Sequence, residues 1–272
     1  MLGLIAGIFT RIFSNSFLNV FQKLLTNSGQ RPSVINFYTY FGLTILAFII
    51  CPKPVYNEIL LVNIIIMGVL GALGNYFIIK ALSYGDLSEL APINSYKPIV
   101  ALVFGCFLLK EFPHIKELFG IFLIIFGTFI LFNKKIVHSK ALFYRFLALI
   151  FSGTEAIFIK KVIIISDINS AFLYWAAAGL VFSLFLAVGK NIKISKENIK
   201  HLLLLIFTVG IMQYSTNYVF SKMNVAYALA LFQLSTIVSV FFGVNVFKEK
   251  GLERKLTASL VMILGAITII LN

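Results

Sequence analysis

Nine of the ten acidic residues fall in loops or at the ends of apolar runs, and only Glu155 sits well inside one. On the basic side, Arg11 and Lys97 alone lie near the centre of such runs. A charge at mid-bilayer costs at least about 2.5–3.5 kcal/mol on insertion scales, so these groups normally face a bundle interior or a wet cavity. One reading makes Glu155, Arg11 and Lys97 the lining of a substrate cavity. The other makes them a structural ion pair, or makes Arg11 a side chain that snorkels from a shifted first helix. Two central cations against one anion leave net positive charge, which a carboxylate or phosphate on a solute would complete. A solute with both carboxylate and amine could satisfy Lys97 and Glu155 separately, which is amino-acid-like chemistry. Glu155 is also a proton-coupling candidate.

Polar residues recur at helical spacing around these charges. Arg11, Asn15, Asn19 and Gln22 fall on one face of a first helix. Gln213 and Asn217 repeat the pattern, and Asn36, Tyr40 and Thr44 form a third stripe. Such stripes face protein or water rather than lipid, as cavity lining or as interhelical hydrogen bonds. Asn75-Tyr76 corresponds to Gln213-Tyr214, giving equivalent amide-aromatic pairs. In Asn94-Ser95-Tyr96-Lys97-Pro98, Pro98 cannot donate to the carbonyl of Asn94. This predicts either a hinge with a free acceptor beside Lys97 or a plain packing kink. Gln233, Ser235 and Thr236 lie at the equivalent depth in the other half. Trp175 is either a stacking wall for the solute or part of an interfacial belt. Gly68, Gly71 and Gly74 read as close helix packing.

Other chemistry is excluded by what the spans lack. No nucleophile constellation, carboxylate pair or phosphate loop is present. Cys51 and Cys106 give no disulfide framework and no zinc spacing. The expectation is no enzyme activity, no cofactor and no metal.

The elements that must hold these residues follow from composition. The chain is 60% hydrophobic and 12% charged, with mean hydropathy +0.99. Soluble domains average about 25% charged residues, and 29 Phe and 11 Tyr exclude disorder. The net charge of +13 sits between apolar runs, where Lys and Arg anchor helix ends and meet anionic lipid, so nucleic acid is not the partner. Ten runs emerge: about 2–22, 33–50, 59–79, 88–109, 116–132, 141–159, 169–188, 200–220, 225–247 and 256–271. The first reads as a transmembrane helix, not a cleaved signal peptide. All must be α-helical, because backbone groups in lipid need internal partners and no alternation of period two is visible.

The two halves match at a single gap-free offset of 138. Phe13-Ser14 meets Phe151-Ser152, Lys23 meets Lys161, Lys110-Glu111 meets Lys248-Glu249, and Gly127 meets Gly265. Residues 1–135 and 139–272 are therefore read as two five-helix repeats. Five spans per half is odd, so the second half enters the membrane inverted, and the binding site is expected near the midplane between halves. Loops after odd-numbered helices are richer in Lys and Arg, which by the positive-inside rule puts the termini outside the cytoplasm.

These residues resemble the drug/metabolite transporter superfamily, in its EamA-type branch. The resemblance rests on Phe13 to Phe17 ending in Lys23, with its partner Phe151 to Glu155 ending in Lys160-Lys161. It rests also on Ala81-Leu82 through Pro98 to Lys110-Glu111, and on Gly127. The chain departs from the family pattern in having Phe13 and Phe151 where Trp is usual, and Thr236 opposite Pro98. The resemblance implies export or exchange of small metabolites and both termini in the cytoplasm, against the loop charges. The expectation is thus an all-α integral membrane protein of ten transmembrane helices in two inverted five-helix repeats. It is a multi-pass protein of the plasma (inner) membrane, monomer or homodimer, moving a small polar or zwitterionic metabolite by alternating access. Two other classes stay open: a flippase of a lipid-linked headgroup, which needs a lateral opening and a larger cavity, and a non-transporting membrane interaction subunit.

Overall fold

Ten α-helices account for nearly all of the chain that the structure, a computed structural model, describes: residues 2–85, 90, 93, 96–131, 139–189, 192–235, 237–238 and 252–270. They are α1 Leu2–Asn27, α2 Pro32–Ile50, α3 Leu60–Leu82, α4 Lys97–Leu108, α5 Ile115–Leu131, α6 Ser139–Ile165, α7 Ile168–Ala187, α8 Ile199–Lys222, α9 Val225–Phe232 and α10 Leu252–Ile270. Each answers to one of the ten apolar runs. Five of them, α1, α2, α3, α7 and α8, are long and apolar enough on their own to cross a membrane.

Short connections carry their own stop and start signals. Pro32 opens α2, where its missing N–H costs nothing. Between α6 and α7 only Ser166 and Asp167 intervene. The Asp167 carboxylate accepts from Asn169 N at 2.7 Å and Ser170 N at 3.0 Å, capping α7. Partial burial pushes this carboxyl up, but hydrogen bonds from the Ser170 hydroxyl and the two amides outweigh it and hold it below the usual range. Asn224 caps α9 in the same way, accepting from Ala226 N at 2.9 Å.

Helix four differs from the sequence expectation of one kinked run over 88–109. Pro98 stands in the first turn of α4, not in a helix interior. Ile93 and Tyr96 are in 3₁₀ conformation ahead of it. A proline in a first turn starts a helix rather than bending one. The carbonyl of Asn94 lies outside the described residues, as do Thr236 and Lys248-Glu249.

Packing follows an approximate two-fold that exchanges the halves. Helix α1 packs on α8 as α3 packs on α6, while α2 pairs with α7, α4 with α9, and α5 with α10. The α5–α10 pair shows the exchange in detail. A Cβ on Gly265 would lie 2.6 Å from the carbonyl oxygen of Gly120, and a Cβ on Gly127 2.8 Å from that of Ala258. The offset of 138 turns each contact into the other. Two inverted five-helix repeats thus meet along closely packed, glycine-lined seams.

The corners of the repeats also correspond. Lys23 Nζ donates to Leu82 O at 2.9 Å and Gly85 O at 2.7 Å, closing the end of α3. Lys160 Nζ donates to Phe220 O and, at 3.1 Å, to Met223 O, closing the end of α8. The carbonyl pairs are related by 138, but the lysines are not. The structural partner of Lys23 is Lys160, whereas Lys161 lies 5.4 Å from the ring of Phe158. Adjacent helical residues point about 100° apart, so only one of two neighbouring lysines can reach the corner. Glu111 joins this corner, 3.8 Å from Lys160 and accepting from Val225 N at 3.0 Å.

Candidate functional site

A cavity of about 100 Å³ lies where the halves meet, lined by residues of eight helices. Helices α1, α3, α4, α6, α8 and α9 were expected around it, and α2 joins them through Thr39 and Tyr40 and α7 through Trp175. Of the sequence candidates, Asn15, Asn19, Asn75, Lys97, Glu155, Trp175 and Gln213 line it, together with Arg11.

Glu155 is placed by its neighbours. On α3, Gly71 faces it, and a Cβ there would run into the carboxylate and come within 3.2 Å of the Tyr40 hydroxyl. The glycine therefore makes the room in which the carboxylate sits. Trp175 Nε1 donates to Glu155 Oε1 at 2.6 Å. The indole is itself backed by Tyr40, ring centroids 5.1 Å apart, and by Phe172. Trp175 is 5% exposed, so it belongs to the interior wall and not to an interfacial belt. Among the described lining residues Glu155 is the only carboxylate.

The cations are held differently. Arg11 Nε donates to Thr216 Oγ1 at 2.7 Å, and its guanidinium lies 4.8 Å from the ring centroid of Phe232. Lys97 lines the same cavity as Arg11 and Glu155. Arg145 was missed by sequence reasoning. It stands near the start of the 141–159 run and away from its centre, yet it is fully buried.

The amides tie the helices together. Gln22 Nε2 donates to Asn75 Oδ1 at 3.1 Å, Asn75 Nδ2 to Asn36 Oδ1 at 2.6 Å, and Asn36 Nδ2 to Ala72 O at 3.1 Å. This relay joins α1, α3 and α2. Asn15 Nδ2 donates to Ser235 Oγ at 2.9 Å. Gln213 Nε2 donates to Asn217 Oδ1 at 2.9 Å, so Asn217 stands behind the wall and orients the residue that forms it. Asn15 and Asn75 line the cavity and also bond outside their own helices, whereas Gln22, Asn36, Thr44 and Asn217 are not among its lining residues.

Besides Asn217, three further candidates lie elsewhere or out of view. Tyr76 does not line the cavity; Lys80 Nζ sits 5.3 Å from its ring and 4.3 Å from that of Tyr144. Gln233 turns back to Leu229 O at 2.9 Å within its own segment. Asn94 lies outside the described residues. The equivalence of Asn75-Tyr76 with Gln213-Tyr214 extends to the amides alone: Tyr214 donates to Asn169 Oδ1 at 2.7 Å, away from the cavity.

A charged, amide-lined pocket between two inverted five-helix repeats defines a multi-pass membrane transport protein. The sequence profile of the EamA-like transporter family matches residues 1–133 and again residues 139–271, and the chain belongs to that family. Among solved structures, a chain described only as a protein in a crystal structure superposes with a TM-score of 0.73. The two share 13% identity over 97% of this chain and 95% of the other, a likeness of fold alone. No curated protein matches the sequence.

Proposed function

We propose that the chain is a secondary transporter of the plasma (inner) membrane that exports or exchanges a small polar metabolite, amino acids included, by alternating access. The observation that carries this reading is the cavity itself. It gathers Arg11, Lys97 and Glu155 with four amides at the interface of the repeats, where rocking of one half against the other would open it to either side. A pocket of about 100 Å³ suits a solute of metabolite size rather than a lipid-linked headgroup. In this reading the solute's carboxylate sits with Arg11 and Lys97, its amine with Glu155, and Trp175 and Tyr40 form the wall behind. Glu155, the lining carboxylate, is also the group that would carry a coupled proton.

The test is counterflow of labelled amino acids and organic acids into proteoliposomes, with a thermal-shift screen to find the solute first, because a ligand that binds the folded state raises its apparent stability. Solute-dependent exchange is expected, and Lys97→Ala should weaken carboxylate binding at least about tenfold, the loss of about 1.4 kcal/mol. Unchanged binding in that variant would remove Lys97 from the site, and absence of exchange for every solute would remove the transporter reading.

A further inference from the structure

Tyr40 is 1% exposed, and its hydroxyl is buried without a hydrogen-bond partner among the described residues. Its ring is held fast. Trp175 packs against it, ring centroids 5.1 Å apart, and so does the α7 backbone at Gly179, where a Cβ would overlap the ring. The indole is flanked in turn by Phe172 and spends its N–H on Glu155. These aromatic surfaces are taken up by one another, and what Tyr40 offers the cavity it lines is its hydroxyl.

That hydroxyl and the Glu155 carboxylate converge. Each comes within 3.2 Å of the Cβ position of Gly71, so a single donor group can reach both. An ionised carboxylate has about four acceptor sites, and the indole uses one. What completes the pair is set by charge. A solute carboxylate beside the hydroxyl would face Glu155, like charge against like. A quaternary ammonium would suit Glu155 but has no N–H for the hydroxyl, and the open aromatic cage that receives such cations is not what these packed rings form. A primary ammonium carries three N–H donors, enough for both oxygens. Arg11 Nη1 is likewise buried without a partner, on another lining residue, and as a pure donor it asks for an acceptor.

We propose that Tyr40 selects for a primary ammonium group. Its hydroxyl oxygen accepts one N–H of the solute's amino group while Glu155 accepts another, and acids whose nitrogen is fully methylated or missing are rejected. This rests on the transporter reading above and narrows its substrate class to solutes that bear a free amino group as well as a carboxylate.

The experiment measures binding of L-alanine and L-leucine, of their N-trimethylated forms, and of the amine-free propionate and 4-methylpentanoate. It uses the purified full-length protein and titration calorimetry, beside the melting temperature without solute. An amino acid returned by the solute screen in place of these two is tested in the same three forms. The amino acid should bind, and its trimethylated and amine-free forms at least about tenfold more weakly. Tyr40→Phe removes the hydroxyl and keeps the ring. Amino-acid affinity should then fall at least about tenfold while that of the amine-free acid holds. The melting temperature without solute should hold or rise, because an unmatched buried hydroxyl has gone. A lower one, or a variant that does not elute as a monodisperse peak, would mark a structural hydroxyl and overturn the proposal. Unchanged amino-acid affinity in the variant also overturns it, as does an equal loss for both kinds of acid, which would put the hydroxyl at the solute's carboxylate. Equal binding of the trimethylated form by the unaltered protein does the same. If the solutes that exchange carry no amino group, the transporter reading stands and this proposal falls. If nothing binds and no amino or organic acid exchanges, both fall.

Discussion

Glu155 and Gly71 form a matched pair, in which one residue supplies the charge and the other the space for it. Replacing Gly71 with alanine puts a methyl group where the carboxylate now lies. The obstructed atom is the far end of a flexible side chain, so the chain should still fold and melt within about 1 kcal/mol of the original. Transport should fall at least about tenfold, because the swung carboxylate loses the Trp175 hydrogen bond, and bonds to charged groups are worth about 1.5–3 kcal/mol. Proteoliposome uptake beside a melting curve would show the split; equal loss of both would mean that Gly71 serves packing alone. Glu155→Gln keeps the shape and the indole bond while removing the charge, and should abolish proton-dependent uptake if Glu155 is the coupling group. At this scale the sequence showed which faces were polar but not which side chains reach the cavity. Asn15, Asn19 and Asn75 reach it, whereas Gln233 folds back on its own segment and Tyr76 is drawn away beside Lys80. Those choices depend on rotamers and on what crosses each helix. Arg145 escaped notice for the same reason: the segment at Leu90 that buries it is distant in sequence.

Among the elements, α7 has the clearest start. Asp167 accepts two backbone amides and the Ser170 hydroxyl, so Asp167→Ala should cost about 1 kcal/mol of stability, read from thermal unfolding in detergent. The cap also sets a pH dependence. Because the folded carboxyl is held below its unfolded value near 3.9, its contribution is complete above about pH 4 and is lost as pH falls through the folded value. The difference between the original chain and Asp167→Asn should therefore shrink only in acid. Helix boundaries were legible wherever such chemistry marks them: Pro32, Asp167 and Asn224 each begin a helix. Helix four was legible as an apolar run, but the start of α4 at Lys97 was not. Hydropathy over 88–109 is continuous, and a proline in an apolar run carries the same signature whether it bends a helix or begins one.

The whole molecule is organised by the exchange of its halves. Gly120 and Gly265 approach so closely that a side chain at either would strike the other's backbone, which cannot yield as a side-chain tip can. Gly265→Leu should destabilise the fold by about 1–3 kcal/mol, seen as a lower unfolding temperature, while leaving solute selectivity unchanged because the seam is remote from the lining residues. The repeat was legible from one offset shared by many residue pairs, since inversion preserves sequence order. What the offset could not carry was the single-residue slip at Lys23 and Lys160. Helix facing, not alignment, decides which of two adjacent lysines closes a corner.

The seam between α5 and α10 has the character of a palindrome: each side carries what the other needs. A chain cut between the two repeats and made as two separate polypeptides should reassemble in the bilayer as a one-to-one pair, recoverable through a tag on either piece. Covalent tethering would then serve to fix stoichiometry and opposite insertion, the surfaces themselves being sufficient for recognition.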